Sequence, residues 1–238
     1  MNNQRLIAKL TGYGIILMAL TAGFSFGYVY SKFLDINQLE FAQKNVTENI
    51  ELYKLMLSGI LLIIMLDLFI YWTLYQYFKN DDNILAFFSL IFRIIYTVLF
   101  CIATYYLTLN LESNSNEIVL ENYESFDNMW ALGLIFFGIH LLIIGRLMKL
   151  HQLIPLILWC LTFFAGFSYI VVYSIKIIFP ELNELTETLN VILAVPMALG
   201  ELGLAVWLIV KGKVIKFKVK PHNLIETKKS EEENKNDN

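Results

Sequence analysis

Residues 194–213 read AVPMALGELGLAVWLIVKGK, an apolar run with one carboxylate, Glu201, near its middle and lysines at its close. Crossing about 30 Å of hydrocarbon takes roughly 20 helical residues, so the run is long enough to span a bilayer. An acid at the centre of a spanning helix is costly, and it marks a functional site by default. Pro196 lies about one turn before the acid. Having no amide hydrogen, it frees the carbonyl of Ile192 and predicts a kink there. Gly200 and Gly203 remove side-chain bulk beside Glu201. Two readings of them stand together: close packing against a neighbouring helix, or a hinge or cavity wall.

Working outward, further apolar runs of spanning length occupy residues 8–30, 55–78, 84–107, 129–148 and 154–177, and the last run extends over 189–210. Apolar residues make up 57% of the 238 and charged residues only 16%, which places the chain among integral membrane proteins. Backbone groups in lipid need partners within the segment, and runs this long satisfy that only as helices. The fold class expected is therefore all-α: a polytopic integral membrane protein with six transmembrane helices in one bundle, over residues 1–220. Residues 221–238 have little to bury and are expected to form a disordered, charged tail. The bilayer is the partner this implies. A net charge of −3, drawn from acidic loops and tail, gives no reason to invoke nucleic acid.

Lysine and arginine placement sets the orientation. With both termini inside, the cytoplasmic side holds Arg5, Lys9, Lys79, Arg146, Lys149, the cluster Lys211, Lys213, Lys216, Lys218 and Lys220, and the lysines of the tail. The outer side keeps Lys32, Lys44, Lys54 and Lys176. That asymmetry is the positive-inside pattern of a multi-pass protein of the inner (cytoplasmic) cell membrane. The loop before the fourth helix carries Glu112, Glu117, Glu121, Glu124 and Asp127 without a basic residue, as a translocated loop would. Arg5 and Lys9 ahead of an apolar stretch also fit a secretory signal, but the run continues to Tyr30 without a small-x-small cleavage site, so a retained first helix is expected. Its stripe Thr11, Gly14, Met18, Thr21 and Ser25 is mostly small and suits close helix packing. The first outer loop, 31–54, is long enough for a short surface helix; its Asn45-Val46-Thr47 sequon carries no functional weight. Beyond the last helix, KGKVIKFKVK alternates lysine with apolar residues and suits either a stop-transfer anchor or a segment lying on anionic lipid.

The interior polar residues are few. Asp67 sits mid-helix in the second run, with Tyr71 four residues on and able to reach its carboxylate. Trp72, Tyr75 and Tyr77 read as an interfacial aromatic belt. After the tight turn KNDDN, Arg93 lies about ten residues into the third helix, roughly 15 Å deep at about 1.5 Å per residue. The short turn makes the two helices antiparallel neighbours, so Arg93 reaches the depth of Asp67, with Tyr96 on the same side. His140 is central in the fourth helix; a lone histidine there is read first as a hydrogen-bonded structural residue. The fifth helix starts at Pro155, where a missing amide hydrogen costs least. Cys101 and Cys160 fall inside apolar runs and read as buried packing rather than a disulfide or metal site. No zinc spacing, P-loop, dinucleotide glycine pattern or nucleophile elbow occurs, so no cofactor, metal or catalytic residue is indicated.

From the third helix onward the chain resembles the bacterial membrane family catalogued as domain of unknown function 4386. The residues that carry the resemblance are FRIIY around Arg93, LGLIFFGIHLLIIGRLM around His140, LIPLIL at the start of the fifth helix and PMALGELGLAVWLIVKG around Glu201. The resemblance implies a six-helix membrane fold and brings no activity with it.

An unpaired charge at mid-membrane costs about 2.5 to 3.5 kcal/mol even on a lenient insertion scale, so Asp67, Arg93, His140 and Glu201 are expected to converge inside the bundle. Arg93 is expected to pair with Asp67 or Glu201. Two ionised acids against one arginine leave an uncompensated negative charge, so His140 or the second carboxylate is expected to carry a proton, shared near neutral pH. Three function classes follow. The first is a transporter- or sensor-like protein whose polar core binds a small ligand or a proton. In the second, the charges only fix helix packing and function lies in binding another membrane protein. An intramembrane hydrolase built on His140 ranks last, since one histidine makes no multi-histidine metal site and no activated nucleophile is evident.

Overall fold

The computed structural model of the chain describes residues 2–34 and 40–212. The expectation of a disordered tail and the alternating lysine segment fall outside the described residues. Helix α1 covers Asn2–Ala22 and continues through a π-helical stretch, Gly23–Tyr30, into the short α2, Ser31–Phe33. The surface helix α3, Ala42–Glu48, lies in the first loop and includes the sequon. Then follow α4 (Ile50–Phe78), α5 (Asn83–Leu109), α6 (Asn116–Leu150), α7 (Leu156–Ile178) and α8 (Asn183–Lys211). Among the described residues there is no strand, and six helical stretches are long and apolar enough to cross a membrane.

Burial periodicity explains the elements. In α5 the buried positions Ala86, Ser89, Arg93, Tyr96, Phe100, Ala103 and Leu107 advance by three or four residues, one face of a 3.6-residue helix. Asp82 opens that helix as its N-cap, its carboxylate accepting from the amides of Ile84 and Leu85 at 3.0 Å each. Pro155 caps α7. Leu20, Leu61, Met65, Ile84, Phe167 and Val191 are all more than half exposed. Large apolar residues turned outward on helix after helix suit a hydrocarbon surround.

Residues 116–128 correct the sequence reading of a long acidic loop. They form the first turns of α6, because Val119, Tyr123 and Phe126 are buried at helical spacing while the acids occupy other faces. Cys101 and Cys160 are a second correction: both thiols are free and exposed on the outside of the bundle, where an apolar surround accepts them as readily as a core does.

Each spanning helix packs on its neighbour in chain order, and α8 returns to α1, so the six close a ring. Small residues set the tight contacts. A Cβ on Gly138 would lie 2.7 Å from the carbonyl oxygen of Gly166, and one on Gly166 at 2.7 Å from that of Gly138, so α6 and α7 cross backbone to backbone. On the side of the termini the ring is clamped by Arg5, whose Nη1 donates to the carbonyls of Leu208 (2.7 Å) and Gly212 (3.2 Å) and whose Nη2 donates to those of Ile209 and Val210. These carbonyls lie at the C-terminus of α8, that of Leu208 also accepting from the Gly212 amide at 3.2 Å, and a cation there suits the helix dipole. An apolar core that includes Ile70, Leu74, Phe78, Ile144, Leu147 and Leu208 fills this half of the lumen.

Candidate functional site

The other half of the lumen contains a cavity of about 530 Å³. Its closed end lies at mid-bundle and carries Asp67 of α4, Arg93 of α5 and Glu201 of α8. The aromatic side chains of Tyr96, Phe100, Trp130, Phe137, Tyr169 and Tyr173 form much of its wall. Ala19, Ala22, Ala194 and Ala198, from α1 and α8, line it with small side chains.

Of the two partners open to Arg93, the structure selects Asp67. Arg93 Nε donates to Asp67 Oδ1 at 3.0 Å, and Nη2 donates to the same oxygen. Both residues are buried, with exposures of 1% for Asp67 and 2% for Arg93. Pairing is what makes two ions tolerable at this depth. The guanidinium carbon also lies 4.6 Å from the ring centroid of Phe137 and 5.9 Å from that of Tyr96, so aromatic faces support the cation from a second direction. Among the described residues, Asp67 Oδ2 has no hydrogen-bond partner. Glu201, on the same cavity wall, forms no hydrogen bond or ion pair with any described residue.

His140 stands behind this group. Its Nδ1 is 2.9 Å from both the carbonyl oxygen and the Oγ of Ser89. A carbonyl only accepts, so Nδ1 carries the hydrogen, and Nε2 of the neutral ring is an acceptor. Nε2 has no partner among the described residues. A small void of about 20 Å³, with His140, Arg93, Thr162 and Glu201 in its wall, lies on this side and has room for about one water molecule.

Tyr71 is a correction. It lies on neither cavity wall and makes no hydrogen bond to Asp67. Four residues along a helix of about 3.6 per turn leave an offset of about 40°, and the interior face here runs through Ile63, Asp67, Ile70 and Leu74 while Leu68 and Trp72 face outward. Gly200 and Gly203 meet α7 closely: a Cβ on Gly200 would lie 3.2 Å from the backbone of Leu161 and Thr162, and one on Gly203 would lie 2.7 Å from Leu158 Cδ2. With Pro196 inside it, α8 runs as one helix from Asn183 to Lys211.

Sequence reasoning missed two groups. Phe137, Trp130 and Tyr169 belong to the cavity wall; Phe137 is three residues from His140 and shares its face, which was the available signal. Tyr77, read as part of an interfacial belt, is instead buried at 1% exposure, its hydroxyl 3.1 Å from His151 Nε2. His151 Nδ1 lies 2.8 Å from Asp81 Oδ2, so a buried Tyr–His–Asp chain ties the α4–α5 turn to the end of α6. Among the described residues, no group of three or more His, Cys, Asp or Glu side chains is placed to hold a metal ion.

A family model described as "Domain of unknown function (DUF4386)" matches residues 10–212. An uncharacterized protein of Archaeoglobus fulgidus is 28% identical over 155 residues, which cover 65% of this chain and 82% of that protein. No solved structure matches the chain.

Proposed function

The chain belongs to the DUF4386 family, a domain of unknown function, and from that premise we propose a small membrane protein, transporter- or sensor-like, whose working part is the mid-bundle cavity and which binds a small ligand or a proton there. One observation carries this reading: Glu201 lies on the wall of a cavity of about 530 Å³ without a protein partner, beside Asp67, whose Oδ2 is buried and unpartnered among the described residues. Charges kept only to fix helix packing would pair with one another in a dry, closed core, since leaving a buried polar group unsatisfied costs about 1 to 3 kcal/mol or more for charged groups. A carboxylate held at such a cost is what a binding site retains and a scaffold discards. We place the termini, with Arg5, Lys9, Lys79 and Lys149, on the cytoplasmic side of the cell membrane. In that orientation the cavity lies in the outer half of the bilayer.

A second reading has its own support. Arg93 and Asp67 are largely satisfied by each other, which is how register-fixing charges behave, and the protein would then act by docking another membrane protein. Thermal stability of purified protein in detergent separates the two, with Asp67→Asn, Arg93→Gln, His140→Gln and Glu201→Gln compared with wild type. The binding reading expects Asp67→Asn and Arg93→Gln to lose stability and Glu201→Gln to be neutral or stabilising. Large losses for all four variants would leave only the packing reading. Reactivity of single cysteines placed in the first loop and near the N-terminus, tested from each side of the membrane, checks the orientation.

A further inference from the structure

We propose that the cavity takes an organic ammonium ion, a protonated amine on an aromatic or short aliphatic body, that enters sideways between α1 and α8 and sets its head against Glu201, beside the Asp67–Arg93 pair. This rests on the ligand-binding reading above and names the class of ligand.

Charge decides the head group. The charged groups on the wall are Asp67, Glu201 and Arg93, with the phenols of Tyr96, Tyr169 and Tyr173 beside them. Arg93 directs Nε and Nη2 to Asp67, so the guanidinium is already matched by one carboxylate. A second carboxylate remains. An anionic ligand would bring a third negative group into a low-dielectric site with no free cation, whereas an ammonium ion completes the neutralisation. An ammonium ion also supplies hydrogen-bond donors, which Glu201 lacks among the described residues.

Wall chemistry agrees. Tyr96, Phe100, Trp130, Phe137, Tyr169 and Tyr173 present aromatic rings around the volume, and ring faces attract cations while offering apolar contact to a hydrocarbon body. A volume of about 530 Å³ lies within the range of about 300 to 1,000 Å³ typical of small-molecule sites.

The route follows from small residues on the two helices that part. Toward the termini α1 and α8 are locked by Arg5 and by Gly12, where a Cβ would lie 2.6 Å from the carbonyl oxygen of Ala205. Farther along, the π-helical residues 23–30 pack on α4 and make no extended contact with α8. A Cβ on Gly23 or Gly27 would meet nothing within 4 Å. Ala19 and Ala22 of α1 and Ala194 and Ala198 of α8 line the cavity, and Ala194 and Ala198 are also exposed on the outside of the bundle, so on this flank only small side chains stand between cavity and surround. An amphiphile dissolved in the bilayer reaches Glu201 there without passing the loops.

Three probes on one skeleton test the class: 4-phenylbutylamine, 4-phenylbutanol and 4-phenylbutyrate, titrated calorimetrically into protein in phosphatidylcholine nanodiscs, with empty discs subtracted. The amine is expected to bind at least ten-fold tighter than the alcohol, and the butyrate more weakly still. Glu201→Gln is expected to bring the amine down to the level of the alcohol, and Ala198→Leu, which fills the gap, to weaken amine and alcohol together. If alcohol or butyrate binds wild type as well as the amine does, the ammonium assignment is overturned while the ligand cavity stands. If none of the three binds and Ala198→Leu raises the melting temperature, the volume is a packing defect and both readings fall.

Discussion

Replacing Asp67 by Asn removes the countercharge of Arg93 while keeping its shape and one acceptor oxygen. Breaking a buried pair by neutralising one member typically costs about 3 to 5 kcal/mol, because the remaining charge is stranded. Here two features of the site soften that loss. The guanidinium keeps its position 4.6 Å from the Phe137 centroid, and Glu201, the unpartnered carboxylate of the same cavity, stands in reserve as a countercharge. The expected cost is therefore near the lower end, about 3 kcal/mol, which at roughly 2 to 4 °C per kcal/mol for a chain of this size lowers the melting temperature by roughly 6 to 12 °C. When Glu201→Gln is added, the guanidinium has no carboxylate left in the cavity, and the cost should rise to about 5 kcal/mol although Glu201→Gln alone costs nothing. A double-mutant cycle on melting temperature, followed by tryptophan fluorescence in one detergent, reads the coupling directly. Additive effects would refute the role of Glu201 as reserve countercharge. A loss below about 1 kcal/mol for Asp67→Asn itself would refute the buried pair as an energetic element.

Gly138→Ala should cost about 1 to 3 kcal/mol by forcing α6 off α7, and adding Gly166→Ala should cost less than the sum of the two, since both act on one backbone contact; melting temperatures of the three variants check this. Arg5→Ala removes the donors from the C-terminal carbonyls of α8 and should cost about 1.5 to 3 kcal/mol, with proteolysis of α8 near Lys211 accelerated before the rest of the bundle opens. His151→Ala removes the buried contacts of its ring with the Tyr77 hydroxyl and the Asp81 carboxylate and is expected to lower the melting temperature as much as a core truncation does, while Lys44→Ala, on the exposed face of α3, changes it little.

The six long helices were legible because a run of about 20 apolar residues has the length and composition to cross hydrocarbon regardless of its neighbours. All six lie where apolar runs placed them, and the errors are at the ends: α6 begins at Asn116 rather than at 129 because Val119, Tyr123 and Phe126 form a helical stripe among acids that a hydropathy average dilutes. Depth was legible too, so Asp67 and Arg93 could be matched across the turn at 79–82. Rotation about the helix axis was less so, since it is set by packing. Tyr71 and Tyr77 show this from both sides: an offset of about 40° takes the first away from the carboxylate it was expected to bind, and the second turns from the interface into a contact with His151, a residue beyond any span. The cavity itself was hard to read from the sequence, because its wall is assembled from two to five residues of each of the six long helices, far apart along the chain.

The two halves of the ring differ in how α1 meets α8, and that difference argues against a purely structural role for the central charges. On the side of the termini, α1 and α8 are tied by Arg5 and Gly12, and apolar side chains fill the lumen. On the other side the same helices separate, in a region where α1 turns π-helical at residues 23–30 and α8 carries Pro196. Short π-helical stretches are uncommon and favour functional places. Charges needed only to fix register would serve as well inside either of the two apolar clusters that flank them. They stand instead on the cavity wall, the pair Arg93–Asp67 matched and Glu201 beside it unmatched. A matched pair at that place holds the site's shape, and an unmatched acid beside it gives the site something to bind.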